Sequence, residues 1–131
     1  MLALLDVTVF NVAVGNCDAH AKNFSLLHDG PQPRLAPFYD LLSTAPYDYV
    51  SNIFAMRING RRKFDELQSE DWAALAEATG LSGSAIPRRV TQVLRRIDIA
   101  VDARIAAGDD TALLALVRAR TQHLLSMLSK T

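Results

Sequence analysis

A chain of 131 residues falls in the range of one domain and can bury roughly two-thirds of the surface its unfolded form exposes. Half of it is hydrophobic and 14 Lys and Arg balance 14 Asp and Glu, a globular composition that excludes a global pull toward nucleic acid. The single cysteine, Cys17, can form neither an internal disulfide nor a thiolate zinc site, which points to a reducing cytoplasm.

In chain order, residues 2–14 come first and are ambiguous. Leu5, Val9 and Val12 share a helical face, while Val7, Val9 and their apolar neighbours also suit a strand buried on both sides. The run contains Asp6 and Asn11, lacks a basic leader and a cleavage pattern, and is shorter than the roughly 20 residues that cross a bilayer, so it reads as core and no membrane partner is expected. Gly15-Asn16 breaks it, and residues 15–23 form a polar loop at its end. Two short strands follow, around Phe24-Ser25-Leu26-Leu27 and Arg34-Leu35-Ala36, and a turn between them would return the chain after residue 36 to the side of residues 18–23. A second hairpin is marked by Asn59-Gly60 between Ile53–Ile58 and Arg61–Phe64, since Asn-Gly supplies the positive φ of a tight turn.

From Ser69 the pattern turns helical. Ser69 is placed to cap a helix through Thr79 stopped by Gly80, and Ser84 to cap a longer one carrying Ile86, Val90, Leu94, Ile97 and Val101 to about Gly108. Pro87 is tolerated in that helix because it falls in the first turn. A last helix starts at Asp109 or Asp110 and bears Leu113, Leu114, Val117, Leu124 and Leu128. No repeat or linker divides residues 1–131, which read as a single domain.

The chemistry is concentrated in Gly15-Asn16-Cys17-Asp18-Ala19-His20-Ala21-Lys22-Asn23 and Pro37-Phe38-Tyr39-Asp40-Leu41. In isolation Asp-x-His-x-Lys-Asn is turn chemistry more often than catalysis. The five-residue interval from Asp18 to Asn23 nevertheless matches the protein-kinase catalytic loop, where the Asp accepts a hydroxyl proton and the Asn binds metal, with a second carboxylate further on.

The stretch Phe10–Leu27 resembles the catalytic-loop signature of the HipA-like serine/threonine kinases, toxins of toxin–antitoxin modules, and Arg34–Ser43 resembles their metal-binding segment. The later Ala55–Gly60 turn and the helices after Ser69 are also similar to the carboxy-terminal part of such chains. The resemblance implies a mainly α fold, a kinase-like C-lobe of helices with two small β-hairpins, in which residues 2–14 are helical. It implies ATP and magnesium as cofactors, Asp18 as catalytic base, Asn23 and Asp40 as magnesium ligands, and His20, Lys22 and Tyr39 at or near the nucleotide phosphates. A protein substrate, of the translation-related kind known in the family, and a HipB-like DNA-binding antitoxin are the partners it implies. Full family members place an N-terminal lobe ahead of this region, with a phosphate loop and an ATP-positioning lysine, and nothing before Asp18 here matches either. The expectation is therefore a C-lobe that is inactive without an N-lobe in cis or trans. Leu41-Leu42 stands where ordinary protein kinases have Phe-Gly, so ordinary activation-loop control is not expected.

Two further readings belong to other classes: a non-catalytic module that binds an antitoxin or sibling toxin, and a small metal-dependent hydrolase using Asp18 and Asp40. Arg57, Arg61, Arg62 and Lys63 read as a solvated hairpin edge, and Arg88, Arg89, Arg95 and Arg96 as a solvated helix face, so no direct nucleic-acid binding is expected. Trp72 reads as a core anchor, His28 as a turn residue and His123 as a polar-face residue. Because residues 2–14 are apolar nearly all round, a chain without its preceding lobe is expected to leave some of that surface uncovered and to self-associate.

Overall fold

A computed structural model describes residues 2–81 and 85–130. Its four helices are α1 (Leu2–Val14), α2 (Ser69–Ala78), α3 (Ile86–Ala106) and α4 (Ala112–Leu128), with one antiparallel pair, β1 (Leu26–Leu27) and β2 (Arg34–Leu35), between the first two. The expected mainly α C-lobe architecture is what the chain adopts.

Helix α1 forms despite its β-branched content because packing outweighs propensity. It lies against α3 and α4, burying Leu5, Val7, Val9, Val12 and Ala13, and only Leu2 and Ala3 are exposed along it. Its apolar surface is thus more fully covered than the sequence suggests. What is left of it lines two clefts, one shared with Phe54 and Leu75 and the other with Phe38 and Val117. The core runs from α1 through Trp72 and Ala76 of α2, Ile86, Val90 and Leu94 of α3, and Leu124 of α4. An ion pair from Arg89 to Asp6, 2.5 Å at its closest, ties α3 to α1. No helix among the described residues is long and apolar enough to cross a membrane.

Helices α1, α2 and α3 end in the same way. After α1 the Asn16 amide donates to the Asn11 carbonyl (2.8 Å) and the Gly15 amide to that of Val12 (3.2 Å), the paired bonds of a Schellman motif, with Gly15 at φ +75°. The same two bonds recur around Gly80 and Gly108, so both expected helix stops stand. The starts differ from expectation. Gln68, not Ser69, is the residue before α2, and its amide donates to the Asp71 carboxylate (2.8 Å). Thr111, not Asp109 or Asp110, caps α4, its hydroxyl accepting from the Leu114 amide (3.2 Å). Ser84 lies outside the described residues.

The second hairpin contracts to a turn. Asn59 and Gly60 take the expected positive φ (47° and 81°), but among the described residues the two arms share only the Ile58–Arg61 bridge and the Phe54 amide on the Arg62 carbonyl (2.7 Å). Side chains fasten it instead of a ladder: Asn59 Nδ2 and Arg61 Nε donate to the Asp71 carboxylate at 2.7 and 3.3 Å. Asp71 is buried and takes three donors from the exposed residues Asn59, Arg61 and Gln68, so Asp71→Ala removes the one acceptor that ties the turn to α2. Its expected cost is about 2–4 kcal/mol, read as a lower urea midpoint at unchanged slope.

Candidate active site

The site is assembled by the small hairpin. Pairing of Leu26 with Leu35 and of Leu27 with Arg34 is continued by the Ala36 amide on the Ser25 carbonyl (2.8 Å), which returns the chain as the sequence predicts. Beyond that pair the Phe24 and Phe38 rings meet edge to face, 6.3 Å apart, so the residues just outside them, Asn23 and Asp40, are brought together.

Asn23 ends a single 3₁₀ turn, Ala21–Asn23, and is buried. Its amide nitrogen donates to the Asp40 carboxylate (2.9 Å) and to the Asp18 main-chain carbonyl (3.2 Å). With both amide hydrogens committed, Asn23 Oδ1 keeps its acceptor capacity, on the same side chain that touches Asp40. Asp40 sits in the left-handed region at φ +58°, strained by about 1–2 kcal/mol for a residue with a Cβ. The Asn16 amide nitrogen holds it there by donating to the Asp40 carbonyl (3.1 Å). Strain of this kind persists only where the surroundings over-determine it.

The Asp18 carboxylate is half-exposed and lies 2.9 Å from His20 Nδ1. The same nitrogen is 3.0 Å from the Asp18 carbonyl, so the ring sits over the residue whose carboxylate it orients. Lys22 is exposed, and its carbonyl accepts from the Tyr39 hydroxyl (3.0 Å), which is also 3.1 Å from Ser25 Oγ. Tyr39 therefore braces the Lys22 turn against the strand pair.

Several contributors were not singled out by the sequence. Asn11, buried on α1, accepts from Asn16 Nδ2 (3.1 Å), and Asn16 Oδ1 accepts from the Asp18 amide (3.1 Å). Two amides thus carry the position of α1 to both Asp18 and Asp40; an Asn within an otherwise apolar run was the available signal. Thr44 fastens the far side, its hydroxyl donating to the Gly15 carbonyl and accepting from the Cys17 amide, each at 2.9 Å. Arg120 reaches from α4 to the Val12 carbonyl at 2.8 and 3.2 Å while its guanidinium lies 3.7 Å from the Phe64 ring centre. Burial pulls the Arg120 pKa below its ordinary value, and nearby Cys17 and Asp65 act in the opposite direction. His123 stacks near Phe64, 5.5 Å between centres, as well as facing solvent.

Comparison with known proteins bears on this arrangement. Residues 1–104 match the family described as the HipA-like C-terminal domain. The chain belongs to that family. Among curated relatives, one named "Putative kinase Y4mE" from Sinorhizobium fredii is 40% identical over 94% of this chain and 29% of its own length. The serine/threonine-protein kinase toxin HipA of Shewanella oneidensis is 30% identical over 75% of this chain and 23% of its own. A chain from the solved complex of Shewanella oneidensis HipA, HipB and operator DNA matches with a TM-score of 0.75 at 26% identity, over 98% of this chain and 31% of that one. The chain thus spans less than a third of the length of these relatives.

Proposed function

We propose that this chain supplies the carboxy-terminal half of the phosphoryl-transfer site of a HipA-like serine/threonine kinase. The observation that carries the reading is the Asn23 amide, bonded at once to the Asp40 carboxylate and the Asp18 carbonyl, because it draws the kinase-spaced residues into one site.

In this reading Asp18 accepts the proton of a protein hydroxyl as it attacks, and His20 holds the Asp18 carboxylate. Asn23 Oδ1 and Asp40 offer an amide and a carboxylate oxygen, hard donors of the kind that suits magnesium with its remaining places left to water and phosphate. Asn23 Oδ1 and Asp40 would hold such an ion, which would supply positive charge against the phosphates of ATP. In the same reading Lys22, exposed beside Asn23, would meet the nucleotide phosphates, with Tyr39 bracing its turn.

Residues 2–17 form one apolar helix and its cap, so in this reading the phosphate loop and lysine of the reaction come from outside these residues. Positioning of this kind is worth about 7–11 kcal/mol of barrier. The purified 131-residue chain is accordingly expected to show no ATP-dependent phosphorylation. Activity should appear when an amino-terminal lobe is supplied, and Asp18→Ala should then remove about 10²–10⁴ of the rate. ATP-dependent activity of the pure chain, lost in Asp18→Ala, would overturn the dependence on a second lobe.

The match to a complex containing HipB supports a second reading of the same chain, as a surface for a HipB-like antitoxin. Antitoxin binding would then be unaffected by Asp18→Ala, as titration calorimetry of both forms can decide.

A further inference from the structure

Arg120 of α4 is a half-buried cation directed at a single backbone carbonyl. Its Nη2 and Nε both donate to the Val12 carbonyl, at 2.8 and 3.2 Å, while the plane of the guanidinium lies 3.7 Å from the centre of the Phe64 ring. Among the described residues it makes no ion pair. Taking a guanidinium out of water without a carboxylate partner is unfavourable, and an apolar side chain of similar volume would fill the same space at lower cost. What an apolar residue cannot do is fix the carbonyl.

That carbonyl stands at the joint between the core and the candidate site. It is one of the last of α1, at the negative end of the helix dipole, and it also accepts the Gly15 amide (3.2 Å) in the turn that ends the helix. The guanidinium lies against the turn itself, since a Cβ on Gly15 would be 3.6 Å from both Cζ and Nε of Arg120. The next residue is Asn16, whose Oδ1 accepts from the Asp18 amide and whose Nδ2 donates to the Asp40 carbonyl, each at 3.1 Å. One clamp on α1 therefore sets the residue that orients both Asp18 and Asp40. A lysine could not replace it, because a single ammonium has neither the paired donors nor the flat face that rests on Phe64.

We propose that Arg120 is a positioning residue of the phosphoryl-transfer site, through which α4 fixes the Gly15 turn and, by way of Asn16, the placement of Asp18 and Asp40. This rests on the phosphoryl-transfer reading and adds to it a residue remote in sequence from both motifs.

The test compares Arg120→Lys, which keeps the charge, with Leu124→Val, a packing change on the same helix. In nuclear magnetic resonance of the purified chain, Arg120→Lys should move the side-chain amide signals of Asn16 and Asn23. Amide exchange at residues 16–18 should accelerate about tenfold, with α3 little changed. Leu124→Val should raise exchange in α3 and in residues 16–18 alike and leave the two side-chain signals in place. Unmoved Asn16 and Asn23 signals in Arg120→Lys, or exchange that rises evenly as in Leu124→Val, overturns the proposal. With an amino-terminal lobe supplied, magnesium-dependent turnover at saturating ATP should fall roughly ten- to hundredfold in Arg120→Lys. Turnover unchanged in that variant overturns the proposal and leaves the kinase reading standing. Absence of turnover in the unsubstituted assembly removes the kinase reading instead, and the resonance and exchange measurements still decide whether Arg120 holds residues 16–18.

Discussion

Trp72→Ala is expected to remove about 3–5 kcal/mol of stability, the largest effect of any single substitution considered for this fold. The indole is completely buried in the cluster that joins α1, α2 and α3, so its truncation opens a cavity where the helices meet. Single domains have about 5–15 kcal/mol in total, so this loss takes about a fifth of the reserve or more. Trp72→Phe separates packing from polarity. The indole N–H has no hydrogen-bond partner among the described residues, so phenylalanine removes volume without breaking a bond. It should cost about 1–2 kcal/mol. Urea unfolding of the two variants decides the matter; equal losses would mean that the N–H matters and the ring volume does not.

Gly15→Ala is expected to cost about 2–4 kcal/mol through two separable effects. The first is backbone strain at φ +75°, which any Cβ introduces. The second is steric: a Cβ here would lie 2.7 Å from the Ala45 Cβ, far inside contact distance, with Arg120 Cζ at 3.6 Å. Ala45→Gly removes the opposing methyl, so the Gly15→Ala/Ala45→Gly pair should recover the steric part and retain the strain. Double-mutant analysis by urea unfolding measures that recovery, and strict additivity would refute the clash. Because Gly15 is bonded through its carbonyl to Thr44 and leads into Asp18, the same substitution should loosen the candidate site. Amide exchange of residues 16–23 should therefore accelerate more than that of α3.

Much of this protein was legible from residue order. The Asp18–Asn23 interval, the returning hairpin, the Asn59-Gly60 turn and the helix stops at Gly80 and Gly108 are local chemistry, in which a few adjacent side chains and backbone angles decide the outcome. Where local rules competed, they failed by small margins. Ser69 and Asp109 are both sound caps by type, yet Gln68 and Thr111 hold those places, and the second hairpin shrank to a bridge once Asp71 offered its loop a buried carboxylate.

The sequence by itself determined which groups approach one another across the small hairpin, because Phe24 and Phe38, and with them Asn23 and Asp40, are joined by a short loop of fixed register. Only the tertiary structure decided how that site is held. Asn11 and Asn16 link it to α1, Thr44 closes it across 29 residues, and Arg120 reaches the end of α1 from 108 residues away. Such partners carry no spacing signal. They are selected when helices pack and leave particular carbonyls and amides to be satisfied in a dry interior, and that depends on the whole core at once.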